Sequence, residues 1–263
     1  MAGRDAIHPL AGARADAVMI GPAPSAEDLL KVARAPLITR LIGKAMALGY
    51  RLAGKHRYDD FRVERVHGVP FLVTPSVFNP KVPRTGEFLA SLLDSSLVGR
   101  DYEVLDMGTG SGVCAVFAAK YARRVVAVDI NPAAVRCAGV NALLNGVERD
   151  IDVRQGDLFV PVRGEQFDLI LFNPPFLRGS PSDDRDRAWR SSDVAERFAE
   201  GLVAHLKPMG SALVLLSTFG NGGHFLKEFS KRGLQISVLA ERRFVNERLT
   251  VFRLVRSESR PKG

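Results

Sequence analysis

From Tyr102 onward, strand-like and helix-like stretches alternate along the sequence, and this alternation constrains the fold more than any other feature. The strand-like runs, such as YEVLDM, RVVAVDI and FDLILFN, are mostly apolar, and helical patterns such as VCAVFAAKYA and VAERFAEGLVAHL come between such runs. Continuous apolar strands are typical of parallel sheets that helices cover on both faces. The sequence therefore predicts an α/β fold with a mostly parallel seven-stranded sheet and helices on both faces.

The sequence predicts antiparallel strand pairs at both ends of this core. The last two strand-like runs, LQISVLAERR and RLTVFRLV, lie close together in sequence, so we expect them to form an antiparallel edge. Ahead of the core, Val63, the His67-Gly68 dipeptide and Phe71 belong to a pattern that predicts a short β-hairpin. A loop and a helix from about Thr85 follow it.

The 263 residues are expected to form one large domain with a small N-terminal part. Ser25 begins a capping box, and the apolar residues after it recur at helical spacing. We expect four parts, which are a mobile arm over 1–24, a helical and hairpin substrate part over 25–84, a core domain over 85–256 and a flexible tail over 257–263.

Composition limits the partners and the location. The net charge of +8 suits a partner rich in phosphate, although a surface with dispersed arginines explains it equally well. Cys114 and Cys137 both fall in predicted helices, which favours buried free thiols. No apolar run reaches the roughly 20 residues of a membrane span, and the histidines and cysteines lack metal-ligand spacing. A cytoplasmic protein with neither a metal nor a membrane partner is the default expectation.

A glycine-rich turn follows the first core strand. It places Asp106 ahead of Gly108, Thr109, Gly110, Ser111 and Gly112. Glycines at alternate positions let the backbone approach a ligand, and the next helix directs free N–H groups to the same place. A dinucleotide fingerprint would need glycine at Val113, and no Gly-Lys-Ser/Thr follows, which argues against both an NAD site and a Walker loop.

Three further strand ends carry candidate ligand-binding groups. Asp129 with Ile130 follows the second strand, and its carboxylate could accept hydrogen bonds from ribose hydroxyls or cap the next helix. Asp157 and Leu158 follow the third strand and could contact an adenine ring. Because ligands of open α/β sheets bind at the carboxyl ends of the strands, these residues are expected to meet at one site. The fourth strand ends in Asn173-Pro174-Pro175-Phe176.

Together these motifs resemble the class I S-adenosylmethionine-dependent methyltransferases, over roughly residues 62–256. VLDMGTGSG looks like their first motif, Asp129 like their ribose-binding acid and Asp157 like their adenine contact. NPPF is similar to the (D/N/S)-P-P-(Y/F) motif of members that methylate a nitrogen conjugated to a planar system. HGVPFLVTPSVF, PRTGE and NERLTVFRL resemble segments of the HemK/PrmC branch, which methylates a glutamine of peptide-chain release factors.

The resemblance implies a Rossmann-like methyltransferase fold, S-adenosylmethionine as the cofactor and a specific role for the NPPF segment. An amide or aryl –NH₂ nitrogen is a poor nucleophile because its lone pair is delocalised. The side-chain oxygen of Asn173 and the carbonyl of Pro174 could hold both of its hydrogens, Pro175 would stiffen the turn, and Phe176 would cover the planar face. Arg84, Thr85 and Glu87 either line the donor or substrate pocket or form a capped helix start.

Several acceptors remain open. The first is a protein glutamine side chain, although the HemK/PrmC branch usually has tyrosine where this chain has Phe176. The second is the amino group of an RNA or DNA base, which the positive charge favours. The third is a small molecule of specialised metabolism, acted on by a methyltransferase or a related S-adenosylmethionine-using enzyme. The fourth possibility has no acceptor at all, because the protein would bind the cofactor without catalysis. The intact Asn173-Pro174 pair argues against it.

Overall fold

The structure is a computed structural model that describes residues 61–80, 84–175, 177–178, 190–191, 193–245 and 247–257. The expected N-terminal arm, the helical pattern that begins at Ser25 and the side chain of Phe176 lie outside these residues. Most of the loop over 177–193 and the tail over 258–263 also lie outside them.

The described chain begins with a hairpin and continues as alternating strands and helices. The strands are β1 Arg62–Val66, β2 Val69–Val73, β3 Glu103–Met107, β4 Arg124–Asp129, β5 Ile151–Gln155, β6 Phe167–Phe172, β7 Leu177–Arg178, β8 Arg190–Ser191, β9 Leu206–Ser217, β10 Leu234–Arg243 and β11 Arg248–Arg256. The helices are α1 Thr85–Ser91, α2 Val113–Ala119, α3 Pro132–Leu144, α4 Val194–His205 and α5 Gly222–Lys231, with a 3₁₀ turn at Val160–Val162. Among the described helices, none has the length and apolarity needed to cross a membrane.

Seven strands form one sheet in the order β10-β11-β9-β6-β3-β4-β5. The pairs β3/β4, β3/β6, β4/β5 and β6/β9 are parallel, whereas β11 pairs antiparallel with both β9 and β10. The predicted sheet, its mostly parallel character and its antiparallel edge are therefore confirmed. Leu105 in the centre pairs with Val126 on one side and Ile170 on the other, so β3 is buried along both of its edges.

The two faces of the sheet bury separate apolar cores. On one face, Leu105 and Met107 of β3 pack with Phe198 of α4 and Phe229 of α5. On the other face, Val104 packs with residues of the hairpin and of helices α1 and α2. Alternate residues of a strand point to opposite faces, so a strand that must fill both cores is apolar at nearly every position.

The β1–β2 hairpin is confirmed, and its turn follows from the sequence. His67 and Gly68 both have positive φ, 47° and 82°, as the two-residue type I′ turn requires. Asn141 of α3 holds the hairpin in place. Its Oδ1 accepts from the Leu72 N–H at 2.7 Å, and its Nδ2 donates to the Leu72 carbonyl at 2.7 Å and to the Ser111 carbonyl at 2.8 Å. One buried amide therefore joins the hairpin, α3 and the glycine-rich turn.

Strand β9 begins earlier than its apolar run. The run SALVLLST starts at Ser211, after Pro208 and Gly210, but the strand begins at Leu206, which pairs with Phe167. The register then shifts, so that Leu169 pairs with Ser211. The intervening residues form an irregularity in which proline is tolerated and in which a Cβ on Gly210 would lie 2.7 Å from the Phe167 carbonyl.

We expect Asn141→Ala to lower the free energy of unfolding by about 3 kcal/mol. The substitution removes three hydrogen bonds and leaves buried groups of Leu72 and Ser111 without their partner. Denaturant unfolding measures the change. Asn145→Ala is the matched control, because Asn145 is only partly buried and gives the hairpin a single bond, to Pro70. Equal losses in the two variants would contradict a special role for Asn141.

Candidate active site

A cavity of about 350 Å³ opens at the carboxyl ends of the central strands. It lies at the point where strand order reverses, because β3 pairs with β4 on one side and with β6 on the other. Most of the residues singled out from the sequence line it, namely Asp106, Gly108, Thr109, Gly110, Asp129, Ile130, Asp157, Leu158, Asn173, Pro174 and Pro175. The cavity therefore joins all four of the predicted strand ends.

The glycine-rich turn is held in a left-handed conformation against β4. Gly108 and Gly110 have φ of 66° and 57°, which a residue with a side chain adopts only with strain. The Thr109 N–H donates to the Val128 carbonyl at 3.0 Å, and the Gly110 N–H donates to Asp129 Oδ2 at 2.9 Å. The turn thus presents backbone to the cavity.

Asp106 connects this turn to helix α2 from a buried position. Its Oδ2 accepts from the Thr109 hydroxyl at 2.6 Å and from the Ala115 N–H at 3.0 Å. Burial raises the pKa of Asp106 to about 7; the two hydrogen bonds work against this shift and the nearby Asp129 adds to it. Near neutral pH this carboxyl group is therefore divided between its protonated and ionised forms.

Asp129 ends β4 with both carboxylate oxygens directed at backbone N–H groups. Oδ2 accepts from Gly110, and Oδ1 accepts from Asn131 at 2.9 Å. Burial raises the pKa of Asp129, and the backbone hydrogen bonds oppose that shift. The N-cap of α3 is Asn131, whose side chain accepts from Ala133, so Asp129 does not occupy the capping position. Each Asp129 oxygen has a second lone pair that can accept from a ligand hydroxyl.

Asp157 forms an ion pair that the sequence did not predict. Its carboxylate forms an ion pair with Arg197 of α4, and Arg197 lies 3.9 Å from Asp193 as well. Both Arg197 and Asp193 line the cavity. No sequence motif identified either residue. The arginine fixes the Asp157 side chain beside Leu158 at the cavity wall.

Asn173 is anchored through one end of its amide only. Its Nδ2 donates to the Thr85 hydroxyl at 3.1 Å. Its Oδ1 is buried and has no hydrogen-bond partner in the part of the chain that the structure describes. Buried amide oxygens are nearly always paired, so an unpaired one beside a cavity indicates a place for a donor.

Among the candidates that the structure describes, four do not line the cavity. Gly112, with φ 80°, is the N-cap of α2, and a Cβ there would lie 3.0 Å from the Ala138 Cα, so this glycine permits α2 to pack on α3. Thr85 is buried behind Asn173. Arg84 places its guanidinium 5.9 Å from the ring centroid of Phe244, and the Glu87 carbonyl accepts from His67.

Two more parts of the wall were not predicted. The segment after β2 contributes Ser76, Val77, Phe78 and Pro80. Its first three residues end the HGVPFLVTPSVF segment that the family resemblance uses, and that resemblance assigned them no role. Cys114 of α2 also lines the cavity, and both cysteines are buried free thiols, as expected.

Comparison with known proteins decides the family. The model of the methyltransferase small domain matches residues 68–240, which is more than half of the chain. The chain belongs to the methyltransferase small domain family. This confirms the resemblance to the class I methyltransferases and identifies the protein as an S-adenosylmethionine-dependent methyltransferase.

Two relatives and one solved structure illustrate the likeness. The release factor glutamine methyltransferase of Koribacter versatilis is 33% identical over 184 residues, which cover 59% of this chain and 65% of the relative. A candidate protein N5-glutamine methyltransferase of Methanocaldococcus jannaschii is 30% identical over 195 residues, covering 71% and 95%. A 16S rRNA methyltransferase of T. thermophilus, solved with AdoMet and guanosine, shares the fold with a TM-score of 0.57 at 22% identity, covering 75% of this chain and 50% of that one.

We expect the raised pKa of Asp106 to make stability depend on pH. Because the folded methyltransferase binds this proton more tightly than the unfolded chain, the contribution is complete at low pH and disappears as the pH rises from about 4 to about 7. Asp106→Asn removes the titration but keeps an oxygen for both hydrogen bonds. Relative to the variant, the wild type should lose a few kcal/mol over that range. Denaturant unfolding at several pH values measures this, and parallel curves would contradict it.

Proposed function

We propose that this methyltransferase transfers the methyl group of S-adenosylmethionine to the side-chain amide nitrogen of a glutamine in a protein substrate. The observation that carries the proposal is the buried Oδ1 of Asn173, a residue that lines the cavity, because this oxygen is unpaired among the described residues. The glutamine methyltransferases among the relatives, such as the two described above, support the choice of a glutamine over other acceptors.

The cofactor fits along the strand ends. In this proposal the Asp129 carboxylate accepts from the ribose hydroxyls beside Ile130, and Asp157 and Leu158 hold the adenine. The methionine part lies over the glycine-rich turn, in which Gly108, Thr109 and Gly110 form the wall next to Asp106. In this proposed order the donor methyl group would lie toward the end of β6.

The acceptor is held at the NPPF segment. Asn173 Oδ1 accepts one hydrogen of the substrate –NH₂ group and the Pro174 carbonyl accepts the other, so that the nitrogen lone pair faces the methyl group. As the N–C bond forms, the S–C bond breaks and its electron pair stays on sulfur, which gives S-adenosylhomocysteine; the extra proton on nitrogen leaves to water. The sulfonium is already activated, and positioning supplies much of the catalysis. The covering role of Phe176 stays a prediction.

A second candidate acceptor is the amino group of an RNA base. The +8 net charge favours it, because a polyanionic substrate is attracted by surplus lysine and arginine. The same two acceptors at Asn173 and Pro174 would hold an aromatic –NH₂ group. A gel shift with bulk RNA that weakens steeply with salt would favour this candidate over the glutamine.

Label transfer tests the proposed acceptor directly. The methyltransferase is incubated with methyl-labelled S-adenosylmethionine and a lysate that has been fractionated into protein, RNA and small molecules. We expect label in a protein band and on a peptide that carries Gly-Gly-Gln, and no label with Asn173→Ala. Label in RNA would replace the glutamine proposal with the second candidate, and label only among small molecules would reject both.

Asn173→Ala should separate catalysis from donor binding. Loss of the acceptor oxygen should lower kcat by at least about 100-fold, as the loss of a preorganised polar group in an active site does. Calorimetry should show a Kd for S-adenosylhomocysteine within about 3-fold of the wild type, since less than one hydrogen bond to the donor is at stake. Asn145→Ala, the same substitution away from the cavity, controls for general effects. Parallel losses of binding and turnover would place the effect in the fold.

Asp129→Ala should act on the donor instead. The ribose loses a charged acceptor, and hydrogen bonds to charged groups contribute more than neutral ones, so the Kd for S-adenosylhomocysteine should rise by roughly 10- to 100-fold. Asp152→Ala removes a carboxylate from the neighbouring strand, in an ion-pair network with Arg124 and Arg154, and serves as the control. An unchanged Kd in Asp129→Ala would reject the ribose contact.

A further inference from the structure

Thr85 is in contact with the acceptor site without being part of its wall. Its side chain is fully buried at the start of α1, and its hydroxyl accepts from Asn173 Nδ2 at 3.1 Å. The cavity is lined by Asn173 but not by Thr85, which therefore lies behind the amide. The two residues are 88 positions apart in sequence, so only the folded chain brings them together.

The orientation of the Asn173 amide decides whether it can hold an –NH₂ group. The two ends of an asparagine amide have nearly the same shape, but the oxygen accepts hydrogen bonds and the nitrogen donates them. If the amide rotated by half a turn, Nδ2 would face the two hydrogens of the substrate, and donors would oppose donors. In the structure Nδ2 donates to the Thr85 hydroxyl behind the amide, so Oδ1 is the other end. A hydroxyl can bind either end of an amide, so Thr85 fixes the place of the Asn173 side chain, and the substrate –NH₂ group itself selects the oxygen end.

Thr85 is itself held firmly, because the first turn of α1 is attached to its neighbours on several sides. Arg84 lies over the ring of Phe244, and in return Arg242 lies over the ring of Phe88 at 4.8 Å from its centroid. These reciprocal cation–π contacts join α1 to the end of β10 and the residue after it. On the other side, His67 of the hairpin turn donates to the Glu87 carbonyl at 3.2 Å.

We propose that Thr85 is a positioning residue whose buried hydroxyl anchors the far end of the Asn173 amide and so holds Oδ1 in place for the methyl acceptor. The inference rests on the proposed function, because it presumes that Asn173 Oδ1 binds an –NH₂ group. This role of Thr85 in the PRTGE segment differs from the two expected from the sequence, which were a pocket wall and a capped helix start. A residue in this role affects turnover through Asn173 and leaves the donor site unchanged.

The first test compares Thr85→Val with Thr85→Ser. Valine keeps the shape but removes the acceptor, so kcat should fall by about 10-fold, the equivalent of one hydrogen bond, with the Kd for S-adenosylhomocysteine unchanged. Serine restores the hydroxyl and should bring kcat back to within about 3-fold of the wild type. Thr250→Val is the matched control. It removes another buried threonine hydroxyl, which bonds Glu241 on the antiparallel edge, and should leave kcat within about 2-fold.

The second test repeats Thr85→Val in an Asn173→Ala background. Without the amide the hydroxyl has nothing to hold, so the valine substitution should lower the residual kcat by less than about 3-fold there. A purely structural role for Thr85 would give equal losses in both backgrounds and would overturn the inference. So would wild-type kcat in Thr85→Val, or a Thr85→Ser variant as slow as the valine variant.

The tests separate this inference from the function on which it rests. If Asn173→Ala loses turnover while Thr85→Val does not, the acceptor role of Asn173 stands and the positioning role of Thr85 is wrong. If Asn173→Ala keeps its turnover, the proposed function fails first. Thermal unfolding of the valine variant shows whether the loss of kcat has a cause in stability.

Discussion

The reversal of strand order at β3 is the constraint on which the rest of the structure depends. Strand β3 pairs with β4 on one side and with β6 on the other. The helix that follows β3, α2, and the helix that follows β6, α4, pack on opposite faces of the sheet. A crevice remains between them at the carboxyl ends of the strands. Every group of the candidate site that comes from the central sheet lies there because its strand ends there.

Two acids, the buried Asp106 and the half-buried Asp129, make this crevice into a defined surface. Asp106 ties the glycine-rich turn to α2, and Asp129 ties the same turn to the end of β4. Burial raises both pKa values, and the hydrogen bonds that each acid accepts oppose that shift. A cationic sulfonium donor, as proposed, would favour the ionised form of both acids. The turn, the acids and the donor would then stabilise one another.

The acceptor end of the cavity depends on a different part of the chain. Asn173 follows β6 in the centre of the sheet, whereas Thr85 belongs to α1. Helix α1 and the residue before it contact the hairpin turn and the end of β10 with the residue after it. Asn141 fixes the hairpin to α3 and to the glycine-rich turn with one buried amide. The elements outside the central sheet therefore contact the Asn173 side chain from behind, while β6 carries its backbone.

Local chemistry determined much of this protein from its sequence. Continuous apolar runs specified the buried parallel strands, His67-Gly68 specified the hairpin turn, and residues directly after strands had to meet at one edge of the sheet. Only the tertiary structure showed that β9 begins before Pro208 and that Gly112 allows α2 to pack on α3. The same is true of the Arg197–Asp157 ion pair and of the hydrogen bond between Asn173 and Thr85. Each of these depends on atoms that are distant in sequence, and periodicity and motif spacing describe only neighbours along the chain.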